Sequence, residues 1–143
     1  MKQKIYFGHP INVYGTKLER KLLKIISKRF PQSDIENPGQ NLKHRVKQIK
    51  LWQKITGNAM NYFFFEMLPK CHAGIFLPFR DGKWGAGIVG EAEFLINKGF
   101  PVWQITFNGV ISEISLAEIK AKALSIEETR LRIRDASGKS TPY

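Results

Sequence analysis

The sequence is short of cysteines, of long apolar runs and of acids, and each shortage removes a class of protein. Cys71 is the only cysteine in 143 residues. It can close no internal disulfide and has no second thiol with which to build a Cys-based metal site. The three histidines stand at no metal-ligand spacing, so neither a metal nor any other cofactor is expected. The longest apolar stretches, residues 61–68 and 74–78, fall far short of the ~20 residues of a bilayer span, and no membrane-embedded segment is expected. The opening Met1-Lys2-Gln3-Lys4 passes into a strand pattern without an apolar signal region, which disfavours secretion. With the lone cysteine, this predicts a reducing, cytoplasmic setting. Acids number 12 against 23 Lys and Arg, giving a net charge of +11. A field of that sign attracts nucleic acid, nucleotides or an anionic membrane surface, or serves only as a basic solvated exterior.

What is present reads as one domain. The hydrophobic fraction of 43% and mean hydropathy of -0.27 are those of a soluble chain large enough to bury a core. Residues 4–8 form a short buried strand pattern ending at Gly8, followed by His9-Pro10. Thr16 and Glu19 have capping-box spacing and open a helix to about Arg29, with Leu18, Leu22, Ile25 and Ile26 as its apolar stripe. A weak strand over 33–36 is stopped by Asn37-Pro38-Gly39. A basic amphipathic helix over 41–54 carries Leu42, Val46, Ile49 and Trp52, and a further helix is expected over 58–68. Residues 73–78 are the clearest central strand, and a helix over about 88–98 follows a glycine-bearing loop. A strand over 102–107 then leads to Asn108-Gly109, a strong hairpin signal, so 110–114 should pair back antiparallel. Ser115 with Glu118, and Ser125 with Glu128, start helices to Leu124 and to about Arg134.

Strands separated by helices predict an α/β fold: a single flavodoxin- or Rossmann-like domain over residues 1–136, with a mainly parallel sheet flanked by helices and an antiparallel hairpin strand near the C-terminus. The polar tail, residues 137–143, is expected to be mobile or docked on a neighbouring subunit. Ligands on such sheets bind beyond the carboxyl ends of the strands, here Gly8-His9-Pro10, residues 79–87 and the loop after Asn37.

The stretch from Gly85 to Val102 holds the most chemistry. Gly85-x-Gly87-x-x-Gly90 follows a strand and opens a helix, as a dinucleotide fingerprint would, but no ribose-binding acid follows about 20 residues on. Glu91 falls in the first turn of a helix starting near Ile88. The helix dipole there would keep it ionised, as a nucleophile must be; the plainer alternative is a helix N-terminal acid. Glu93, two residues on, points to another face.

Ile5-Tyr6-Phe7-Gly8 followed by a helix resembles the first strand of the nucleoside 2-deoxyribosyltransferases. The run from His72 through Phe76 to Pro78, a glycine loop, Glu91 and then Gly99-x-Pro101-Val102 is similar to that family's second block. The family's glutamate stands eight residues before the glycine that ends its helix, as Glu91 does before Gly99. Asp34-Ile35-Glu36-Asn37 resembles its second strand. The resemblance implies retaining glycosyl transfer, with Glu91 attacking C1′ of a deoxyribonucleoside and Tyr6 orienting it. It also implies an oligomer whose site a neighbour completes. His9 and Pro10 would line the crevice together with Gly8, Asp81, Trp84, Gly85 and Gly87, with Trp84 available to stack on a base. The chain departs from the family at two acids. Cys71-His72 stands where one precedes the third strand, and Gly85 where an aspartate opens the glycine loop, leaving Asp81 as the nearest acid. His72 is then the candidate general acid.

The expected activity is therefore transfer or hydrolysis of the 2-deoxyribosyl group of a nucleoside or nucleotide, in a homo-oligomer. The alternatives are a nucleotide-binding module without turnover, and a nucleic-acid-binding protein using residues 20–29 and 43–54 with Trp52 as a stacking side chain.

Overall fold

The computed structural model describes residues 3–40, 42–57 and 66–143. Within them the chain forms one five-stranded sheet: β1 (Gln3–Gly8), β2 (Ser33–Glu36), β3 (Ala73–Phe76), β4 (Val102–Ile105) and β5 (Ile111–Glu113), in the spatial order β2-β1-β3-β4-β5. The pairs β1–β2, β1–β3 and β3–β4 are parallel and β4–β5 is antiparallel. The α/β architecture is thus the one expected from alternating elements. Among the described residues five α-helices accompany it: α1 (Lys17–Arg29), α2 (Leu42–Thr56), α3 (Ala86–Asn97), α4 (Leu116–Ala121) and α5 (Ile126–Ile133). The helix expected over 58–68 lies outside the described residues up to position 65; Leu68–Lys70 is a single 3₁₀ turn. Among the described residues no helix is long and apolar enough to cross a membrane.

Strand period 2 assigns the core to two faces. Ile5, Phe7, Ile75, Leu77 and Ile105 pack with Leu22 and Ile26 of α1. Tyr6, Phe76 and Val102 pack on the other side with Ile88, Ala92 and Leu95 of α3, Ile119 of α4, and the partly buried Ile49 and Trp52 of α2. Trp52 therefore packs on the core instead of standing free as a stacking residue.

The hairpin forms where Asn108-Gly109 placed it. Gly109 takes φ +88°, a conformation that side-chain-bearing residues rarely adopt, and the Thr106 N–H donates to the Val110 carbonyl to close the loop. Ser115 and Ser125 make complete capping boxes with Glu118 and Glu128. The tail folds back on its own chain. Thr141 bonds the carbonyls of Ile133 and Arg132, the Tyr143 hydroxyl donates to the Pro78 carbonyl, and Arg80 Nε donates to the Tyr143 carbonyl at 3.1 Å. A run of polar residues reads as a loose end, but here its backbone and hydroxyl groups find partners within reach.

From β1 the chain crosses to β2 on one side and later returns to β3 on the other. The strand order therefore reverses between β1 and β3, and a crevice opens beyond their carboxyl ends.

Candidate functional site

A pocket of about 170 Å³ opens in that crevice. An engineered apolar cavity of about 150 Å³ accepts a benzene ring, so this one has room for a single sugar or base ring. Pro10, Ile11, Tyr14, Phe79, Ile88 and Ile133 supply mostly apolar walls, and His9, Thr129 and Glu91 supply the polar side chains. Gly85 and Gly87 line it with backbone alone.

Glu91 is 5% exposed, and its Oε2 accepts a hydrogen bond from the hydroxyl of Tyr6, itself 1% exposed. The residues that the resemblance pairs are thus in contact, 85 positions apart in sequence. Two details differ from the sequence reading. The helix begins at Ala86, not Ile88, so its first turn contains no acid and Glu91 sits in the second. The dipole's effect falls off within one turn. Burial then dominates, and although the Tyr6 hydrogen bond acts the other way, the Glu91 carboxyl is pushed up to about 8. At neutral pH the group is mainly a carboxylic acid, not the carboxylate expected. Burial and the neighbouring Glu91 likewise hold the Tyr6 phenol well above its ordinary value, so it serves as a neutral donor. Removing that donor in Tyr6→Phe should move the Glu91 titration further upward, on the order of one pH unit. A pH titration of the carboxyl by infrared or NMR would check this; an unmoved or lowered midpoint would contradict it.

His9 and Glu19 form a second buried pair. His9 Nδ1 lies 3.0 Å from the Phe7 carbonyl, which can only accept, and Nε2 lies 2.8 Å from Glu19 Oε2. Both ring nitrogens thus lie against oxygen atoms, and the ring is held between β1 and α1. Stacking on Phe7, with ring centroids 4.3 Å apart, fixes the ring plane. Burial alone would raise the Glu19 carboxyl, but the hydrogen bond and charge of His9 and the Gly15 N–H together bring it below its usual range. Sequence reasoning took Glu19 for the return arm of a capping box. Thr16 does cap the Glu19 N–H at 3.2 Å, but the Glu19 carboxylate turns to His9 and to the Gly15 amide. Glu19→Gln should cost about 2 kcal/mol in a denaturant titration at pH 7, because the buried His9 Nε2 loses its carboxylate partner. A carboxyl lowered by folding stabilises above its unfolded titration range and loses that contribution as pH falls through the folded one. The gap between wild type and variant should therefore close in acid.

The amino end of α3 reaches the pocket without a side-chain cap of its own. Its first amide, Ala86 N–H, donates to Thr129 Oγ at 2.9 Å, from α5. This tether was invisible locally because 43 residues separate the partners. Gly8 is needed for packing: a Cβ there would collide with the Phe76 ring. It lies under the site and is absent from the pocket wall.

Besides Gly8, three expected site residues are not brought to the pocket. His72 precedes β3 and so lies at the amino end of a parallel strand, opposite the crevice. Its Nδ1 accepts the Lys4 N–H at 3.2 Å, and it borders a separate groove with Phe100 and Trp103. Trp84 is fully buried beside Phe76, with its indole N–H on Gln104 and its backbone paired to Lys122 and Leu124; no face remains for a base. Asp81 is held by Arg132 through two 2.8 Å hydrogen bonds, an outer clasp between the loop after β3 and α5. The loop after Asn37 packs on Glu19 through Gly39 and does not line the pocket.

No family model, curated protein or solved structure matches the chain.

Proposed function

We propose that the chain is an enzyme of N-glycosidic bonds that handles the 2-deoxyribosyl group of a nucleoside or nucleotide. The observation that carries this reading is the buried Glu91, bonded from behind by Tyr6 and lining a one-ring pocket at the strand-order reversal. In the ionised form, a Glu91 oxygen attacks C1′ while the C1′–N bond breaks and its electron pair leaves on the base. With both His9 nitrogens engaged and His72 at the far end of the sheet, water protonates the departing base. A second base, or water, then displaces Glu91 from C1′ with overall retention. Tyr6 fixes the carboxyl and favours its charged form. A homo-oligomer belongs to this reading, since Ile126 and Leu131 of α5, beside the pocket, stand 63% and 79% exposed.

The raised Glu91 titration favours a second reading. A neutral carboxyl beside an apolar one-ring pocket also suits binding of a base edge without turnover. Incubating the protein with deoxyribonucleosides, their 5′-monophosphates and a free acceptor base, followed by chromatography, separates the two. New nucleosides absent with Glu91→Ala establish exchange, and free base without exchange establishes hydrolysis. Unchanged substrates with retained binding establish the second reading.

A further inference from the structure

Helix α1 carries Lys17, Arg20, Lys21, Lys24, Lys28 and Arg29, all exposed. At 3.6 residues per turn, positions 17, 20–21, 24 and 28 fall in one row, about 17 Å long. The helix has one acid, Glu19, and it is turned inward to His9. Among the described residues none of Lys17, Lys21, Lys24 or Lys28 enters an ion pair. Helix electrostatics account for Lys28 and Arg29 in the last turn, but act against cations in the first turn, where Lys17 stands. The row thus costs the helix some stability.

The apolar stripe of α1 is already spent on the core, with Leu22 and Ile26 fully buried, so nothing on the cationic face can enter a bilayer. Helix α2 differs on both counts. It packs on the opposite face of the sheet, and its outward cations alternate with exposed Val46, Leu51 and Ile55. The row on α1 begins near the pocket: Arg20 donates to the Gly15 carbonyl, next to pocket-lining Tyr14.

We propose that the exposed face of α1 binds the sugar-phosphate backbone of a nucleic acid strand, each helical turn offering a cation to a phosphate. Such contacts position a strand without reading its sequence, and they stand whether or not Glu91 performs glycosyl chemistry.

Fluorescence anisotropy with labelled mixed-sequence 20-mers, single-stranded and duplex, at 50 to 200 mM salt tests the assignment. Four counterions released give a log–log slope near -3, so wild-type affinity should fall about sixtyfold over that range. The variant Lys17→Gln/Lys21→Gln/Lys24→Gln/Lys28→Gln should bind at least about tenfold more weakly at 50 mM, with a slope reduced by about three. Lys21→Gln/Lys24→Gln, a milder change, should lose about half that slope. The α2 variant Lys47→Gln/Lys50→Gln/Lys54→Gln should bind as wild type does. Unchanged binding by the α1 variants, loss confined to the α2 variant, or no salt-dependent binding at 50 mM would each overturn the proposal. So would capture by vesicles containing anionic lipid when neither 20-mer binds.

Discussion

Glu91→Gln is expected to lower turnover of a deoxyribonucleoside by at least about a thousandfold, the scale seen when a covalent nucleophile is removed. Glutamine keeps the size of the side chain and an oxygen for the Tyr6 hydroxyl, so the loss reports chemistry and not collapse of the pocket. The pH profile distinguishes roles that this single loss leaves merged. With the carboxyl titrating at about 8, a nucleophile is only about a tenth ionised at pH 7, and kcat/KM should climb roughly tenfold between pH 7 and 9 before levelling. A proton donor at the same position would give the opposite slope, a rate that falls through pH 8. A falling or flat profile in wild type would therefore remove Glu91 from the nucleophile's role even if Glu91→Gln is inactive.

Thermal and denaturant stability should respond to the same carboxyl. Its ordinary value is 4.5 and its folded value is about 8. Between those points the folded protein holds a proton that the unfolded chain has released, so stability falls as pH rises across the window and is level on either side. The full effect is at most about 5 kcal/mol. Glu91→Gln carries no titrating group and should lack this slope. Near pH 5 the two proteins should be of similar stability, and near pH 8.5 the variant should be the more stable by several kcal/mol. Equal stability at both pH values would mean that the carboxyl keeps water about it and that burial does not govern its charge.

The sheet was legible because its signals are local: apolar runs of four to six residues, an Asn-Gly turn, and Ser–Glu pairs at capping distance. The pairing of Tyr6 with Glu91 was legible through the family resemblance, since nothing in the spacing of two residues 85 apart declares a contact. The start of α3 was not. Gly85 and Gly87 read as loop because glycine disfavours helix, and the group that stabilises the first turn, the Thr129 hydroxyl, comes from a distant helix. That shift of two residues carried Glu91 out of the first turn, and burial raised its carboxyl. Glu19 was misjudged for the converse reason: its local pattern was real, and a tertiary partner took over its carboxylate. The placement of His72 had a rule available, because a residue preceding a strand of a parallel sheet lies at the end away from the crevice. Trp84 had none, since its place in the core depends on Gln104 and on the segment 122–124.

Helix α5 contributes Thr129 and Ile133 to the pocket yet buries none of its own residues. What fastens it is polar: the Thr129–Ala86 bond, the Asp81–Arg132 clasp and the tail's bonds to Arg132, Ile133 and Pro78. Hydrogen bonds and exposed ion pairs exchange with water at little net cost, whereas a packed apolar face does not. The wall formed by α5 is thus the one whose release would forfeit the least buried apolar contact. A ring entering the pocket would touch that wall through Thr129 and Ile133, so any looseness of α5 would enter its affinity as a factor. Changes at the outer clasp would tune binding without touching any group that meets the ligand.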